Sequence, residues 1–288
     1  MAAALHPQTR IGTVTLAVAD LPRAVDFYTR VLGLAVQGQR DESALLGAGG
    51  APLLRLRALT GGQRQPARST GLYHVAVLLP TRADLGRALL NLARTQYPAA
   101  GFADHLVSEA VYLDDPDGNG LELYRDRPRA SWRWEGDRVR MASEPLDLDG
   151  IIAEAGPETA FTGLPAGTVI GHMHLRVGDI PQAEAFYSGV LGFDVVARWP
   201  GALFVSAGGY HHHLGLNTWQ SQGAPRPPAN AVGLREYSLV LPDEPARAAL
   251  VARLDAAGVA RRQDAADTLV DDPWGSTIRL ALPGGPPA

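Results

Sequence analysis

Eight histidines, thirty Asp and Glu and no cysteine set the terms for any chemistry in this 288-residue chain. Without thiols there is no disulfide, no thiolate nucleophile and no Cys-ligated zinc or iron–sulfur centre, so a metal must sit on His, Asp or Glu. The densest group is His211-His-His213, just after the turn residues Gly208-Gly209. This segment reads as a strand, in which alternate residues share a face, so His211 and His213 would point one way and His212 the other. The same rule places Gly120, Glu122 and Tyr124 on one strand face, Leu121 and Leu123 on the opposite face, and His172 with His174 on one face of another strand.

The elements that must position these residues come from a duplication. Val18-Ala-Asp-Leu-Pro-Arg-Ala-Val-Asp-Phe-Tyr-Thr-Arg-Val-Leu-Gly-Leu34 returns as Val177-Gly-Asp-Ile-Pro-Gln-Ala-Glu-Ala-Phe-Tyr-Ser-Gly-Val-Leu-Gly-Phe193, identical at nine of seventeen positions and shifted by 159. Repeats put equivalent residues in equivalent places, so one copy can be read against the other. Ile11 to Val18 alternates as a half-buried strand. Asp20 then caps a helix with Pro22 in its first turn, Phe27, Tyr28, Val31 and Leu32 at helical spacing, and Gly33 at its end. Strands around Leu45–Leu46 and Leu53–Leu56 complete a β-α-β-β-β unit. A second opens at Tyr73, carries a helix from Asp84 and closes on Ala110 to Tyr124. A third begins at Val169 and a fourth near Leu234, and Asp115-Pro-x-Gly and Asp272-Pro-x-Gly form the same turn in units two and four. The expected organisation is a first half over 8–128 (units 8–60 and 70–128), a linker or wrapping arm over 129–167, and a second half over 168–284 (units 168–220 and 230–284).

Composition narrows the partners. At 46 % hydrophobic residues the chain can bury one large or two ordinary cores. A net charge of −4 offers no basic field for nucleic acid or anionic lipid, so a small molecule is the expected ligand. All 26 basic side chains are Arg, which a GC-rich coding bias explains without any functional need. No stretch approaches the roughly 20 apolar residues of a membrane span, and the N-terminus lacks a signal pattern, so the expected location is the cytoplasm.

Four such units resemble the vicinal oxygen chelate superfamily, which includes glyoxalase I, bleomycin- and fosfomycin-resistance proteins and extradiol ring-cleaving dioxygenases. Within it the chain resembles two-domain bacterial catechol 2,3-dioxygenases, through Tyr73-His-Val-Ala-Val-Leu-Leu-Pro80, Asp104-His-x-x-Ser-Glu-Ala-x-Tyr-Leu113, Asp115-Pro-Asp-Gly-Asn-Gly-Leu-Glu122 and Ala207-Gly-Gly-Tyr-His-His-His-Leu-Gly-Leu-Asn-Thr-Trp219. The resemblance implies an α+β fold of four βαβββ units paired into two curved sheets, one of which holds a divalent metal on its concave face. It places a ligating His near the start of a unit's first strand and a Glu in its last. Those first-strand positions hold Thr13, His74, His172 and Glu236, and the last-strand positions hold Glu122 in unit two and Arg279 in unit four.

Only His74, Glu122 and His172 can ligate as a set: two imidazoles and one carboxylate, which leaves open positions for a bidentate substrate and dioxygen at Fe(II), with Mn(II) as the alternative. That set requires units two and three to pair, leaving units one and four as a second, metal-free cup where Glu236 and Arg279 form a salt bridge. The resemblance further implies that His213 is the acid–base residue, that Tyr112, ten residues before Glu122, holds the substrate oxygen, and that His105 reaches the same pocket; His174 is a neighbour of the ligands. The implied activity is extradiol cleavage of a small aromatic diol by dioxygen, in a protein that can form homo-oligomers. Two other functions share the fold: a glyoxalase-like isomerase or lyase, which usually uses two carboxylates, and a non-catalytic binding protein for small molecules such as drugs.

Overall fold

A computed structural model describes residues 4–156 and 161–285. Unit one comprises β1 (Arg10–Val18), α1 (Leu21–Asp26), β2 (Ala35–Arg40), β3 (Ser43–Ala48) and β4 (Ala51–Ala58). Unit two comprises β5 (Gly71–Leu78), α2 (Arg82–Arg94), β6 (Gly101–Asp104), β7 (Ser108–Asp114) and β8 (Gly120–Asp126). A short hairpin, β9 (Trp134–Glu135) with β10 (Arg138–Val139), and helix α3 (Leu148–Glu154) follow. Unit three comprises β11 (Val169–Arg176), α4 (Ile180–Glu184), β12 (Asp194–Trp199), β13 (Ala202–Ser206) and β14 (Leu214–Asn217). Unit four comprises β15 (Gly233–Val240), α5 (Glu244–Ala256), β16 (Arg261–Asp264), β17 (Asp267–Asp271) and β18 (Thr277–Ala281).

The duplicated segments fold alike for legible reasons. Asp20 and Asp179 accept hydrogen bonds from the backbone N–H groups of Arg23 and Gln182, and each is followed by Pro in the first turn, which surrenders no intrahelical bond. Both helices then widen into a π turn, Phe27–Val31 and Ala185–Val190, a feature that helical periodicity alone does not reveal.

The strands form two eight-stranded sheets, ordered β16-β17-β18-β15-β1-β4-β3-β2 and β12-β13-β14-β11-β5-β8-β7-β6. Each therefore takes one unit from each half: units four and one make the first sheet, units three and two the second. The two units of a sheet meet through antiparallel first strands, β1 with β15 and β5 with β11. Within each unit the first strand runs parallel to the last, as β5 does to β8. Alternation then divides the side chains. Val75, Val77, Leu121, Leu123, Met173, Leu175, Leu214 and Leu216 enter the apolar core, while His74, Glu122, Tyr124, His172 and His174 occupy the other face of the second sheet. The connecting segment is tied to unit two by Arg82, whose guanidinium bonds Glu109 at 2.9 Å, Asp147 at 2.9 Å and Glu154 at 2.6 Å.

Candidate metal centre

His74 on β5, Glu122 on β8 and His172 on β11 converge at the floor of a cavity of about 510 Å³ in the second sheet. His74 is 6 % exposed, and Glu122 and His172 are 2 % exposed each. Glu122 Oε2 lies 3.0 Å from His74 Nε2 and 3.0 Å from His172 Nε2, and one donor atom from each residue lies within 4.8 Å of the others. His172 makes a hydrogen bond to that oxygen, whereas His74 Nε2 lies off the hydrogen-bond direction and is buried without a partner. A buried polar nitrogen left so is costly in a protein without a metal. Two donor atoms about 2.1 Å from a common ion and at right angles are about 3 Å apart, so the spacing suits a metal.

Electrostatics agree with ligation. Burial alone would raise Glu122, but His172 and His74 hold it well below the usual carboxylate range. Burial pushes His172 down to about 4 despite the opposing carboxylate. The set thus favours an anionic carboxylate and a neutral His172 imidazole, the forms that bind metals.

Around this floor stand the other residues singled out by the sequence. Tyr112 pairs across the ladder with Glu122, and its Oη lies 2.6 Å from His105 Nε2. His105 Nδ1 lies 2.7 Å from the Ala142 carbonyl, which can only accept, so Nδ1 carries a proton; in the neutral ring Nε2 then accepts from the Tyr112 hydroxyl. Burial, followed by the nearby Glu122 charge, raises the Tyr112 phenol well above its ordinary value. His174 pairs with His74 across β5 and β11, and its ring rests over Gly215, where a Cβ would come within 2.9 Å of it.

At the histidine triple the structure corrects the strand reading. Residues 210–213 are irregular and β14 begins only at Leu214. His213 turns away from the cavity: its Nδ1 accepts from the Ala207 backbone N–H at 3.2 Å and lies 3.3 Å from Ser206 Oγ. His212, expected to point away, lines the cavity with its ring centroid 4.2 Å from that of His172. Behind it His211 Nδ1 lies 2.8 Å from His212 Nδ1, and His211 Nε2 lies 2.8 Å from Asp126 Oδ1. Asp126 was not singled out by the sequence, although it continues the alternation Gly120, Glu122, Tyr124 along β8. The cavity walls were also missed: Tyr73, Phe102, Trp199, Phe204 and Trp219 come from separate strands and loops that no local motif links.

The matching position of the first sheet holds no such ligand set among the described residues. Arg279 Nε donates to Glu236 Oε1 at 2.6 Å, and the same guanidinium reaches Asp264 at 2.6 Å and Asp267 at 3.3 Å. The salt bridge expected there is present.

Comparison with known proteins accords with this architecture. The profile of the glyoxalase/bleomycin resistance protein/dioxygenase superfamily matches residues 10–123 and again 169–280. A catechol-2,3-dioxygenase of Bacillus subtilis (strain 168) is 46 % identical, with 93 % of this chain and 95 % of the relative covered. Among solved structures, an inferred dioxygenase of Bacillus subtilis superposes with a TM-score of 0.65 at 14 % identity, over 98 % of this chain and 87 % of that one. Glyoxalase I of Zea mays superposes with a TM-score of 0.56 at 16 % identity, over 95 % and 92 % of the two chains. With a profile match over both halves, a relative of such identity along nearly its whole length and the same curved sheets, the chain belongs to the glyoxalase/bleomycin resistance protein/dioxygenase superfamily.

Proposed function

We propose that this protein is an extradiol dioxygenase that opens the ring of a catechol with dioxygen, using Fe(II) held by His74, His172 and Glu122. The observation that carries this reading is the buried two-imidazole, one-carboxylate set at the cavity floor, with a buried His74 Nε2 that has no hydrogen-bond partner among the described residues. The 46 % identical catechol-2,3-dioxygenase supports it. When bound, Fe(II) would supply open positions for both diol oxygens and for dioxygen, and an electron path between them.

The protein's own residues divide the remaining work. Tyr112, its own proton given in the hydrogen bond to His105 Nε2, would hold a substrate hydroxyl by accepting from it at Oη, with His105 as the partner that orients the phenol. His212, not His213, would take the proton of a substrate hydroxyl, because it lines the cavity while His213 is engaged with the Ala207 backbone. The aromatic walls would hold the ring and keep water from the reacting carbon. A single carboxylate in the ligand set favours this chemistry over an isomerase that uses two.

The test is anaerobic reconstitution of the full chain with Fe(II), then addition of catechol and air. A yellow ring-opened semialdehyde is expected from the native protein and none from His172→Ala. No colour from a protein that holds one metal per chain would reject the dioxygenase reading, and no metal binding would reject the centre itself.

A further inference from the structure

We propose that Asp126 and His211 are positioning residues that fix which ring nitrogen of His212 faces the cavity as a lone-pair acceptor. The inference rests on the dioxygenase reading for its purpose, since it concerns the imidazole assigned to the substrate proton. Its physical content is separate: the tautomer of a side chain set by a line of buried hydrogen bonds.

The line begins at the partly exposed end. The Asp126 side chain is 25 % exposed and His211 is fully buried. An ionised carboxylate offers only acceptors, so His211 must donate from Nε2 across the 2.8 Å contact. A second donor strengthens that end: Tyr210 donates to the same Asp126 oxygen at 3.2 Å, which uses its only proton, and Tyr124 therefore donates to Tyr210 Oη at 2.8 Å. Gly171 makes room for this pair, because a Cβ there would lie 1.8 Å from Tyr124 Oη. With its proton on Nε2, neutral His211 presents Nδ1 as an acceptor. The 2.8 Å contact between the two Nδ1 atoms then requires His212 to donate from Nδ1. Its remaining nitrogen, Nε2, is left with a lone pair and has no hydrogen-bond partner among the described residues.

The packing holds this arrangement in place. The His211 ring is flanked by Tyr210 at 4.1 Å and Trp132 at 5.2 Å between centroids, and a flip about Cβ–Cγ would put ring carbons where Nδ1 and Nε2 now make their contacts, so the ring is held in this orientation. His212 is held between the rings of His172 at 4.2 Å and Phe204 at 5.1 Å. Asp126 thus acts on the cavity through two successive imidazoles without touching a bound molecule.

The test pairs a spectroscopic readout with kinetics. Nitrogen-15 NMR of the histidine-labelled, metal-free full chain should show His212 protonated on Nδ1. His211→Phe, which keeps an aromatic ring between Tyr210 and Trp132, should shift His212 towards the Nε2–H tautomer. In the Fe(II)-reconstituted protein the same change should lower kcat for catechol at least ten-fold, with KM within two-fold and metal stoichiometry unchanged. Asp126→Asn retains an acceptor oxygen and should keep the native tautomer and most of kcat, whereas Asp126→Leu should behave like His211→Phe; this pair decides the matter should His211→Phe fail to fold. An Nε2–H tautomer in the native chain, or equal effects of Asn and Leu at position 126, would overturn the proposal. Should the native protein open no catechol, the tautomers of the native and variant chains still decide this inference, while the dioxygenase reading alone falls.

Discussion

The Tyr28 hydroxyl donates to the buried Asp115 carboxylate at 3.0 Å, and one repeat later Tyr187 makes the same bond to Asp272 at 2.8 Å. Each bond joins the two sheets, because Tyr28 and Asp272 belong to units of one sheet and Asp115 and Tyr187 to units of the other. The aspartates also cap the turns before β8 and β18 by accepting backbone N–H groups from Asn119 and Ser276. Burial raises both carboxyls above their ordinary value while these donors pull them down. Tyr28→Phe should therefore cost about 1–3 kcal/mol, the penalty for removing a partner from a buried carboxylate. Tyr187→Phe should cost a similar amount, as read by urea unfolding.

The two cups should respond oppositely to loss of their central residue. Glu122→Ala or His74→Ala should take metal content from one per chain to near zero by elemental analysis. Arg279→Ala should leave it at one. The second change should instead destabilise the fold by about 3–5 kcal/mol, because the largely buried Glu236 and the buried Asp267 would lose a shared cation. Loss of metal in Arg279→Ala would show that the ligand set had been placed in the wrong sheet.

His213 makes a pH-dependent contribution to stability. Burial, then neighbouring histidines and Arg129, pushes it down to about 3, below the ordinary value of 6.5. The folded state thus favours the neutral ring, so this contribution is complete above pH 6.5 and is lost as the pH falls from there towards 3. The slope in that window is about 1.4 kcal/mol per pH unit for a single group. His213→Gln should flatten the acid limb of a stability–pH curve by that amount. Retention of most ring-opening activity in the same variant would accord with the assignment of the proton to His212.

Charge should govern which catechols are accepted. The cavity is walled by Tyr73, Phe102, Trp199, Phe204 and Trp219; Asp114 adds a negative charge, and no Arg lines it among the described residues. Burying a ring carboxylate against these walls, with no basic side chain to pair it, is unfavourable. Alkyl- or aryl-substituted catechols should be opened with kcat/KM at least ten-fold above that of 3,4-dihydroxybenzoate, measured under the same conditions. Equal rates would show that an unrecognised cation reaches the site.

Much of this molecule was legible along the chain. The Asp-x-Pro entry to α1 and α4, the Asp-Pro-x-Gly turns and the period-two pattern of the long strands are local signals, and each acts through backbone hydrogen bonds within a few residues. The family resemblance, laid over the repeated units, singled out His74, Glu122 and His172 as a candidate ligand set, and the need to bring the three to one ion anticipated the pairing of units two and three. The histidine triple escaped because strand alternation fixes a face only where ladder hydrogen bonds hold the backbone. After Gly208 and Gly209, both at positive φ, residues 210–212 follow no ladder, which resumes only where the His213 backbone bonds Val205 and Met173, and the rings are directed by contacts with Asp126, Tyr210, Trp132 and Phe204. The sequence by itself thus determined the repeated units, their caps and turns, and, through the resemblance, which three residues are candidate ligands. The tertiary structure alone decided which histidine faces the cavity and which aromatic residues wall it, because those choices depend on packing between segments far apart in the chain.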